Sequence, residues 1–435
     1  MLLLFDFSSR VFHISPLSTI HSTPLLISPH FFVQTILKVT KYKSRDTMTR
    51  KNNVFLLFIL TTVLFMSGCW DVTEPQRMYY VNAVGVDFED NQYKVYLQII
   101  NFADVAKSEQ PSGDVAPAEV GYAEGKTVEE AIYKLYRSSD QEIFWGHMRY
   151  LLFSERAMEN ERSIPVIDTF IRFRETRYHI WVYSTKDPIK DVLLVTPILK
   201  NSLTSSKLSN PINTTKQESF IEPQSLRNLI IGLNEPSHEV SIPYVTIMKD
   251  WETAEEQVEE TTFAGVGILT KDGFKGFIKN AAARGNQWMH NNTNRGEITF
   301  KLEGRERDFL TVDLDKLNVE VKPVVKNKDH VTFDISIHLQ ATLNGFKGKI
   351  NADEIRGNII KQVKKEIMET YEEGLKLDVD IYRFSEYLYR SNVKAWKKLE
   401  KEGKIPLTKD SIGEITIQVT KINPGRKTYE ETIEE

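Results

Sequence analysis

The sequence contains a single cysteine, Cys69, in 435 residues, so an internal disulfide is excluded. It also lacks an excess of charge of one sign, since 56 basic and 60 acidic residues give a formal net charge of −4. Proteins that bind nucleic acid usually show a clustered basic excess, and none is present here. With 41% hydrophobic and 27% charged residues, the chain is expected to be globular, in about two or three domains.

Motifs of catalysis are missing as well. There is no glycine-rich phosphate loop, no His-Glu-x-x-His helix and no Gly-x-Ser-x-Gly turn. Of the histidines that follow Cys69, only His330 and His338 lie close together, on one face of a predicted strand. No set of carboxylates or thiols accompanies them as metal ligands. The sequence therefore predicts no catalytic, cofactor or metal site, and an enzyme is the weaker class of function.

No apolar run reaches the roughly 20 residues that a membrane-spanning helix needs. The segment Val54–Met66 is apolar but short, and the acidic Asp71 follows it closely. Before it stands Met48-Thr49-Arg50-Lys51, and after it Ser67-Gly68-Cys69. A charged start, a short apolar stretch and small residues are typical of a signal peptide, and a cysteine directly after them is typical of a lipoprotein.

We interpret residues 48–68 as a lipoprotein signal peptide and Cys69 as the lipid attachment site. Each buried methylene contributes about 0.8 kcal/mol, so two or more long acyl chains would hold the protein stably on a membrane. In residues 1–47 the apolar residues recur with neither the period of a helix nor that of a strand. We interpret these residues as a spurious extension, with translation starting at Met48. An ordinary transmembrane helix and a secreted protein cleaved near Ser67 are the alternatives.

The first folded part is expected over residues 69–255, as an α/β layer. Tyr79–Val86 and Tyr93–Phe102 are rich in Val, Ile and Tyr, which indicates two strands joined by a hairpin. Thr127 opens an amphipathic helix, and further strands and helices alternate after it. The strongly acidic stretch Trp251–Glu260 is interpreted as the linker to a second domain.

The second folded part is expected over residues 256–435. Alternating apolar and polar residues predict an antiparallel meander whose strands are Glu297–Leu302, Phe309–Leu314, Asn318–Val325 and His330–Leu339. Asn351 opens the longest helix, a second helix starts near Asp380, and Ile412–Val419 is a closing strand. The predicted fold class is α+β and multi-domain with mixed sheets, an α/β-layered N-terminal part, and a C-terminal meander followed by two helices and a strand.

The segment Gly285–Gly296 contains Trp288, Met289, His290 and several asparagines. It could be a binding loop. Asparagine clusters more often mark turns, because asparagine tolerates left-handed backbone, and we favour that interpretation.

Several short motifs stand out near Cys69 and in the C-terminal half of the chain. Cys69-Trp70-Asp71 is followed by Val81-Asn82-Ala83-Val84-Gly85-Val86-Asp87, and the C-terminal half carries Glu354, Asp380-Ile381, Glu386-Tyr387-Leu388 and Lys394-Ala395-Trp396-Lys397. Over residues 69–425 the chain resembles the GerC-type (Ger(x)C) lipoprotein subunit of bacterial spore germinant receptors. It departs from that family after Asp380-Ile381, where a Phe-Gly-Phe-Gly-like turn is replaced by Tyr382-Arg383-Phe384-Ser385.

The resemblance implies a non-enzymatic protein that is held by lipid at Cys69 on the outer face of the spore inner membrane. Its partners would be the membrane lipid and two multi-spanning receptor proteins, the A and B subunits, with no nucleic acid and no cofactor. Such a subunit would help to couple nutrient sensing to germination.

Two other functions are weighed against this one. A lipid-anchored solute-binding protein that delivers a small ligand to a transporter would need two similar α/β lobes around a cleft. An anchored hydrolase ranks third, because no catalytic triad or metal spacing is present.

Overall fold

The computed structural model describes residues 57–62, 77–100, 118–254, 256–302, 309–327, 330–344, 350–425 and 433–434. The chain divides into two compact units, residues 1–72 and 73–435. In the first unit, residues 57–62 are helical, and the Thr61 hydroxyl donates to the Leu57 carbonyl oxygen at 2.6 Å. The second unit contains the sheets and the remaining described helices.

The strands are β1 (Met78–Glu89), β2 (Gln92–Ile100), β3 (Glu119–Gly125), β4 (Glu142–Phe144), β5 (Tyr150–Ser154), β6 (Trp181–Thr185), β7 (Glu239–Glu252), β8 (Gln257–Thr270), β9 (Gly273–Lys279), β10 (Arg295–Lys301), β11 (Phe309–Asn327), β12 (His330–Asn344), β13 (Ile350–Asn351), β14 (Ile412–Asn423) and β15 (Ile433–Glu434). The α-helices of the second unit are α1 (Val128–Ser138), α2 (Glu155–Met158), α3 (Ser163–Arg172), α4 (Ile189–Leu194), α5 (Ile212–Thr215), α6 (Leu226–Asn234), α7 (Ala352–Lys376), α8 (Phe384–Ser391) and α9 (Val393–Leu399).

The first sheet is mixed, with parallel strands at its centre and antiparallel strands toward both edges. Its order is β3-β2-β1-β5-β6-β7-β8-β9, with β4 beside β1. The pairs β1–β5, β5–β6 and β6–β7 are parallel, whereas β1–β2 and β7–β8 are antiparallel hairpins. The first predicted hairpin is confirmed, and Asp90 and Asn91 at its turn have φ angles of 48° and 57°. That left-handed backbone suits a two-residue hairpin loop.

Helices cover both faces of this sheet. On one face α1, α3 and α6 pack through Leu135, Phe170 and Leu229, and on the other α4 packs through Ile189. Because both faces are covered, β1 is buried without interruption from Tyr80 to Asp87. The predicted α/β-layered N-terminal part is therefore confirmed.

The second sheet has the order β10-β11-β12-β14, in which the first three strands are antiparallel and β14 lies parallel to β12. α7 packs against this sheet through a stripe at helical spacing that includes Ile355, Ile359, Val363 and Ile367. Asn351 caps α7, since its Oδ1 accepts from the Asp353 amide at 2.7 Å. The predicted meander, long helix and closing strand are confirmed, and with them the α+β fold class.

The acidic stretch Trp251–Glu260 does not form a free linker. It lies in the β7–β8 hairpin, where Trp251 pairs with Val258. The strands extend through it because Val258 and the threonines that follow favour extended backbone. A single apolar core also joins Val266 of β8 to Phe333 of β12. The predicted domain boundary between residues 255 and 256 stays a prediction.

Two predicted elements differ in detail. The strands predicted separately over Phe309–Leu314 and Asn318–Val325 are one strand, β11, with a bulge where Lys316 takes a φ of 52°. The helix predicted to start near Asp380 begins at Phe384 and is interrupted at Asn392. The Asn392 side chain caps α9 by accepting from the Ala395 amide at 3.0 Å, which explains why one helix becomes two.

Candidate functional site

Cys69, the predicted lipid attachment site, lies outside the described residues, as does most of the predicted signal peptide and all of residues 1–47. Lipid attachment at this cysteine therefore stays a prediction. Among the helices in the described ranges, none combines the length and the apolar character that crossing a membrane requires.

The histidines His330 and His338 both lie on β12 and are exposed. In the part of the chain that the structure describes, no three His, Cys, Asp or Glu side chains come together as a metal site would require. His147 packs against the rings of Tyr80 and Phe144, with ring centroids 5.3 and 5.6 Å away. Burial, together with the positive charges of nearby arginines, lowers the pKa of His147.

The segment Gly285–Gly296 begins within a 3₁₀ stretch, Asn280–Met289, and contributes to the core. Trp288 is fully buried, and its Nε1 donates to Glu366 Oε2 of α7 at 2.7 Å. Asn291 Oδ1 accepts from the Val319 amide of β11 at 2.6 Å. These contacts give the tryptophan and this asparagine structural roles.

The motif Val81–Asp87 forms the buried part of β1, and Asp87 lies at its end. Ser154 Oγ donates to Asp87 Oδ1 at 2.5 Å, and Arg156 donates to both carboxylate oxygens. Burial raises the pKa of Asp87, but the hydrogen bonds from Arg156 and Ser154 outweigh it and leave the pKa below its ordinary value. The motif thus fixes β1 against the end of β5.

A second buried carboxylate, Asp380, lies in the loop between α7 and α8 and is 2% exposed. Its Oδ1 accepts from the Phe384 amide at 2.7 Å, and its Oδ2 accepts from the Ser385 amide at 2.7 Å and from Ser237 Oγ at 2.9 Å. Asp380 therefore caps the start of α8 and ties it to the loop before β7.

Glu239, the first residue of β7, faces the same loop. Its Oε2 accepts from the Asp380 amide, and its Oε1 lies 3.2 Å from Lys404 Nζ. Burial raises the pKa of Glu239 to about 7, although the Lys404 charge and the Asp380 amide act in the opposite direction. This carboxyl therefore titrates near neutral pH.

Arg383 completes the cluster and adopts the left-handed conformation, with a φ of 56°. Its Nη1 donates to the Glu239 carbonyl oxygen at 2.5 Å, and its Nε donates to Glu386 Oε2 at 2.6 Å. Left-handed backbone costs a residue other than glycine roughly 1–2 kcal/mol. The turn thus takes an unusual backbone conformation at a residue other than glycine, and the side-chain hydrogen bonds of Arg383 to Glu239 and Glu386 help to hold it.

We name Ser237, Glu239, Asp380, Arg383 and Lys404 the junction cluster. It connects the start of β7 to the α7–α8 loop and to the segment before β14. Two of its members were singled out in the sequence. Asp380 belongs to the Asp380-Ile381 motif, and Arg383 belongs to the Tyr382-Arg383-Phe384-Ser385 turn that follows it. Glu239 and Lys404 were not identified, because nothing in the local sequence around either residue distinguishes a buried ion pair from surface charges.

The raised pKa of Glu239 predicts a pH dependence of stability. The folded chain binds this proton more tightly than the unfolded chain, in which the pKa is 4.5. The resulting stabilisation is complete below that value and is lost as the pH rises through about 7. Between about pH 5 and pH 8, the free energy of unfolding of the wild type should fall by roughly 2–3 kcal/mol relative to Glu239→Gln, which cannot titrate. Urea denaturation at both pH values measures this difference, and parallel profiles of the two proteins would contradict it.

Two family models match the chain, one after the other. The model described as the spore germination protein N-terminal domain matches residues 71–247, and the one described as spore germination B3/GerAC like, C-terminal, matches residues 264–425. The junction cluster has members in both matched regions.

Individual proteins are similar over much of their length. Spore germination protein KC of Bacillus subtilis (strain 168) is 23% identical over 375 residues, which cover 81% of this chain and 91% of that protein. Spore germination protein B3 of the same organism is 23% identical over 285 residues, covering 65% of this chain and 72% of that protein. The crystal structure of the GerBC protein aligns with a TM-score of 0.48 and 14% identity, over 78% of this chain and 96% of that chain.

Proposed function

Since the chain belongs to the GerAC family of spore germination proteins, we propose that it is the lipid-anchored, non-enzymatic C subunit of a spore germinant receptor. The observation that carries this proposal is the match of both domain models, in order, between residues 71 and 425. A similar protein named for spore germination aligns over 91% of its length, which supports the same role for nearly the whole folded chain.

In this proposal the protein acts beside two multi-spanning partners, the A and B subunits, on the outer face of the spore inner membrane. Lipid on Cys69 would hold it there, and tethering raises the effective concentration of a protein near its membrane partners. Weak contacts between folded domains would then be sufficient for assembly.

Three buried carboxylates, those of Asp87, Asp380 and Glu366, are engaged in hydrogen bonds within the protein. Asp87 and Asp380 both use their carboxylate oxygens on hydrogen bonds within the protein. Glu366 likewise receives Trp288 Nε1 and Arg284 Nε. None of these three carboxylates therefore resembles a general base that is free to act on a substrate.

Replacing Cys69 with Ala tests the anchor. Because the acyl chains would be lost, we expect the variant to move from the membrane fraction to the soluble fraction and the germination response to weaken. Fractionation of spores followed by immunoblotting measures the first effect, and the loss of optical density after nutrient addition measures the second. A Ser67→Ala variant, which keeps the cysteine and a small residue at the cleavage site, is the control. Normal membrane retention of Cys69→Ala would contradict the proposal.

A further inference from the structure

The short helix α9 has one side against the core and the other side open to solvent. None of its residues is buried, and Ala395, Trp396 and Leu399 lie half-buried against the core that contains the second sheet. The other residues of the helix are exposed, and all but one are lysines: Val393, Lys394, Lys397 and Lys398. This amphipathic spacing gives α9 a positively charged outer face.

The positive charge on this face is not balanced by carboxylates. Lys394, Lys397 and Lys398 take part in no ion pair within the described part of the chain. The whole chain has a formal net charge of −4, whereas residues 393–401 contain four lysines and one glutamate. That glutamate, Glu400, accepts from the Gly403 amide at 3.0 Å. The excess is too small for a nucleic-acid site, but it is a local exception to the balanced charge of the chain.

Exposed apolar groups lie next to these lysines. Val393 is 42% exposed and is one helical turn from Lys397, and Tyr389 at the end of α8 is 37% exposed. The Tyr389 ring packs edge-on against the Trp396 ring, with centroids 5.0 Å apart, which fixes its position. Lysines beside an aromatic ring and an aliphatic side chain are typical of surfaces that lie at a membrane–water interface.

The residue types favour a lipid surface over an acidic protein surface. Every cation on α9 is a lysine. Interfaces between proteins are depleted in lysine and enriched in arginine, whose planar group suits carboxylates. Lysine places its ammonium group among lipid headgroups while its long stem covers apolar surface. Anionic lipids also attract each lysine near the surface.

We propose that Tyr389, Val393, Lys394, Lys397 and Lys398, here named the α9 surface, contact the anionic headgroups of a lipid bilayer. The inference deepens the proposed function and rests on it, because lipid on Cys69 would keep this surface beside a membrane. Three lysines on one short helix give only weak, salt-sensitive binding. The α9 surface therefore orients the chain on the membrane, and the acyl chains retain it there.

Binding to vesicles of equal parts phosphatidylcholine and phosphatidylglycerol tests this surface. Two full-length chains are compared by co-sedimentation at low ionic strength, Cys69→Ala alone and Cys69→Ala combined with Lys394→Gln, Lys397→Gln and Lys398→Gln. Each lysine near an anionic surface raises affinity roughly fivefold, so the combined variant should bind at least about tenfold more weakly. The two chains should bind equally to vesicles of phosphatidylcholine alone, and also to the mixed vesicles in about 1 M salt, where charges are screened within about 3 Å.

This comparison is independent of the lipid anchor. Both chains lack the cysteine and both keep residues 48–68, so a difference between them comes from α9 alone. Failure of the anchor would appear instead in the fractionation of Cys69→Ala spores. The urea midpoints of the two chains should agree, because the substituted lysines are exposed and form no ion pairs.

The matched control removes the same charge from three exposed lysines of α7, through Lys361→Gln, Lys364→Gln and Lys365→Gln in the Cys69→Ala chain. It should change binding to the mixed vesicles less than about twofold, since only charges near the bilayer contribute. Val393→Asp in the same chain places a carboxylate within the α9 surface and should weaken binding several-fold. Undiminished binding of the α9 lysine variant, or an equal loss in the α7 control, would overturn the proposal.

Discussion

The Asp380→Asn variant is expected to lower the free energy of unfolding by about 3 kcal/mol. In the wild type, both Asp380 oxygens accept from the first amides of α8, and Oδ2 also accepts from Ser237 Oγ. Asparagine offers one oxygen in place of two and turns an NH₂ group toward a buried donor. A side chain that is 2% exposed leaves no room for water to replace the lost bonds. Urea denaturation at neutral pH measures the change.

Asp378→Asn is the matched control, two residues away. The Asp378 side chain is 85% exposed, and its Oδ2 lies 3.1 Å from Lys404 Nζ. Its φ of 54° is left-handed, and asparagine tolerates that conformation as aspartate does. Exposed ion pairs contribute little, so this variant should stay within about 0.5 kcal/mol of the wild type. Equal losses in the two variants would show that Asp380 acts only through its charge and not as a cap.

Gly285→Ala should destabilise the chain by roughly 2–4 kcal/mol, although it adds one carbon atom. A Cβ at Gly285 would collide with the Glu366 carbonyl oxygen of α7, and would lie only 2.6 Å from both Thr370 Oγ1 and Tyr382 Oη. The Gly285 amide also donates to Thr370 Oγ1 at 2.8 Å, so any movement away from α7 breaks that bond. Thermal and urea denaturation measure the loss.

Gly357→Ala uses the same substitution where there is space. Gly357 lies within α7 and is exposed, and an added Cβ would meet nothing within 4 Å. Alanine favours helix over glycine, so this variant should be more stable by about 0.5–1 kcal/mol. A loss of stability at Gly357, or none at Gly285, would contradict the close approach of the 3₁₀ stretch to α7.

Much of the fold could be predicted because its elements carry strong local patterns. In α7, apolar residues recur every four positions from Ile355, and Asn351 precedes them as a cap. The strand pairs could be predicted from the alternation of apolar and polar residues and from turn residues such as Asp272-Gly273. α6 was not predicted, although Ser225 caps it and Leu226, Leu229 and Leu233 have helical spacing. Those positions would have identified it.

The junction cluster could not be predicted, for a physical reason. Asp380 and Glu239 are 141 residues apart in sequence, so no local period connects them. Arg383 takes a left-handed conformation that is unfavourable for a residue other than glycine, and its contacts with the Glu239 carbonyl oxygen and the Glu386 carboxylate help to offset that cost in the folded chain.

The architecture also bears on the alternative functions. A solute-binding protein of the usual two-lobed kind would place similar α/β layers on either side of a cleft. Here the described strands form one large mixed sheet covered by helices, one four-stranded sheet packed on α7, and a two-stranded sheet of β13 and β15. The two halves differ in strand order and in helix placement, which favours the receptor subunit.

The central proposal, a receptor subunit held beside membrane partners, is tested most directly by affinity purification from the spore inner membrane. Wild-type and Cys69→Ala chains with a C-terminal tag would be extracted in mild detergent, and the recovered proteins identified by mass spectrometry. The wild type should recover two multi-spanning proteins in fixed proportion, and Cys69→Ala should recover much less of both. Recovery of the membrane-bound wild type without any multi-spanning partner would contradict the proposed function.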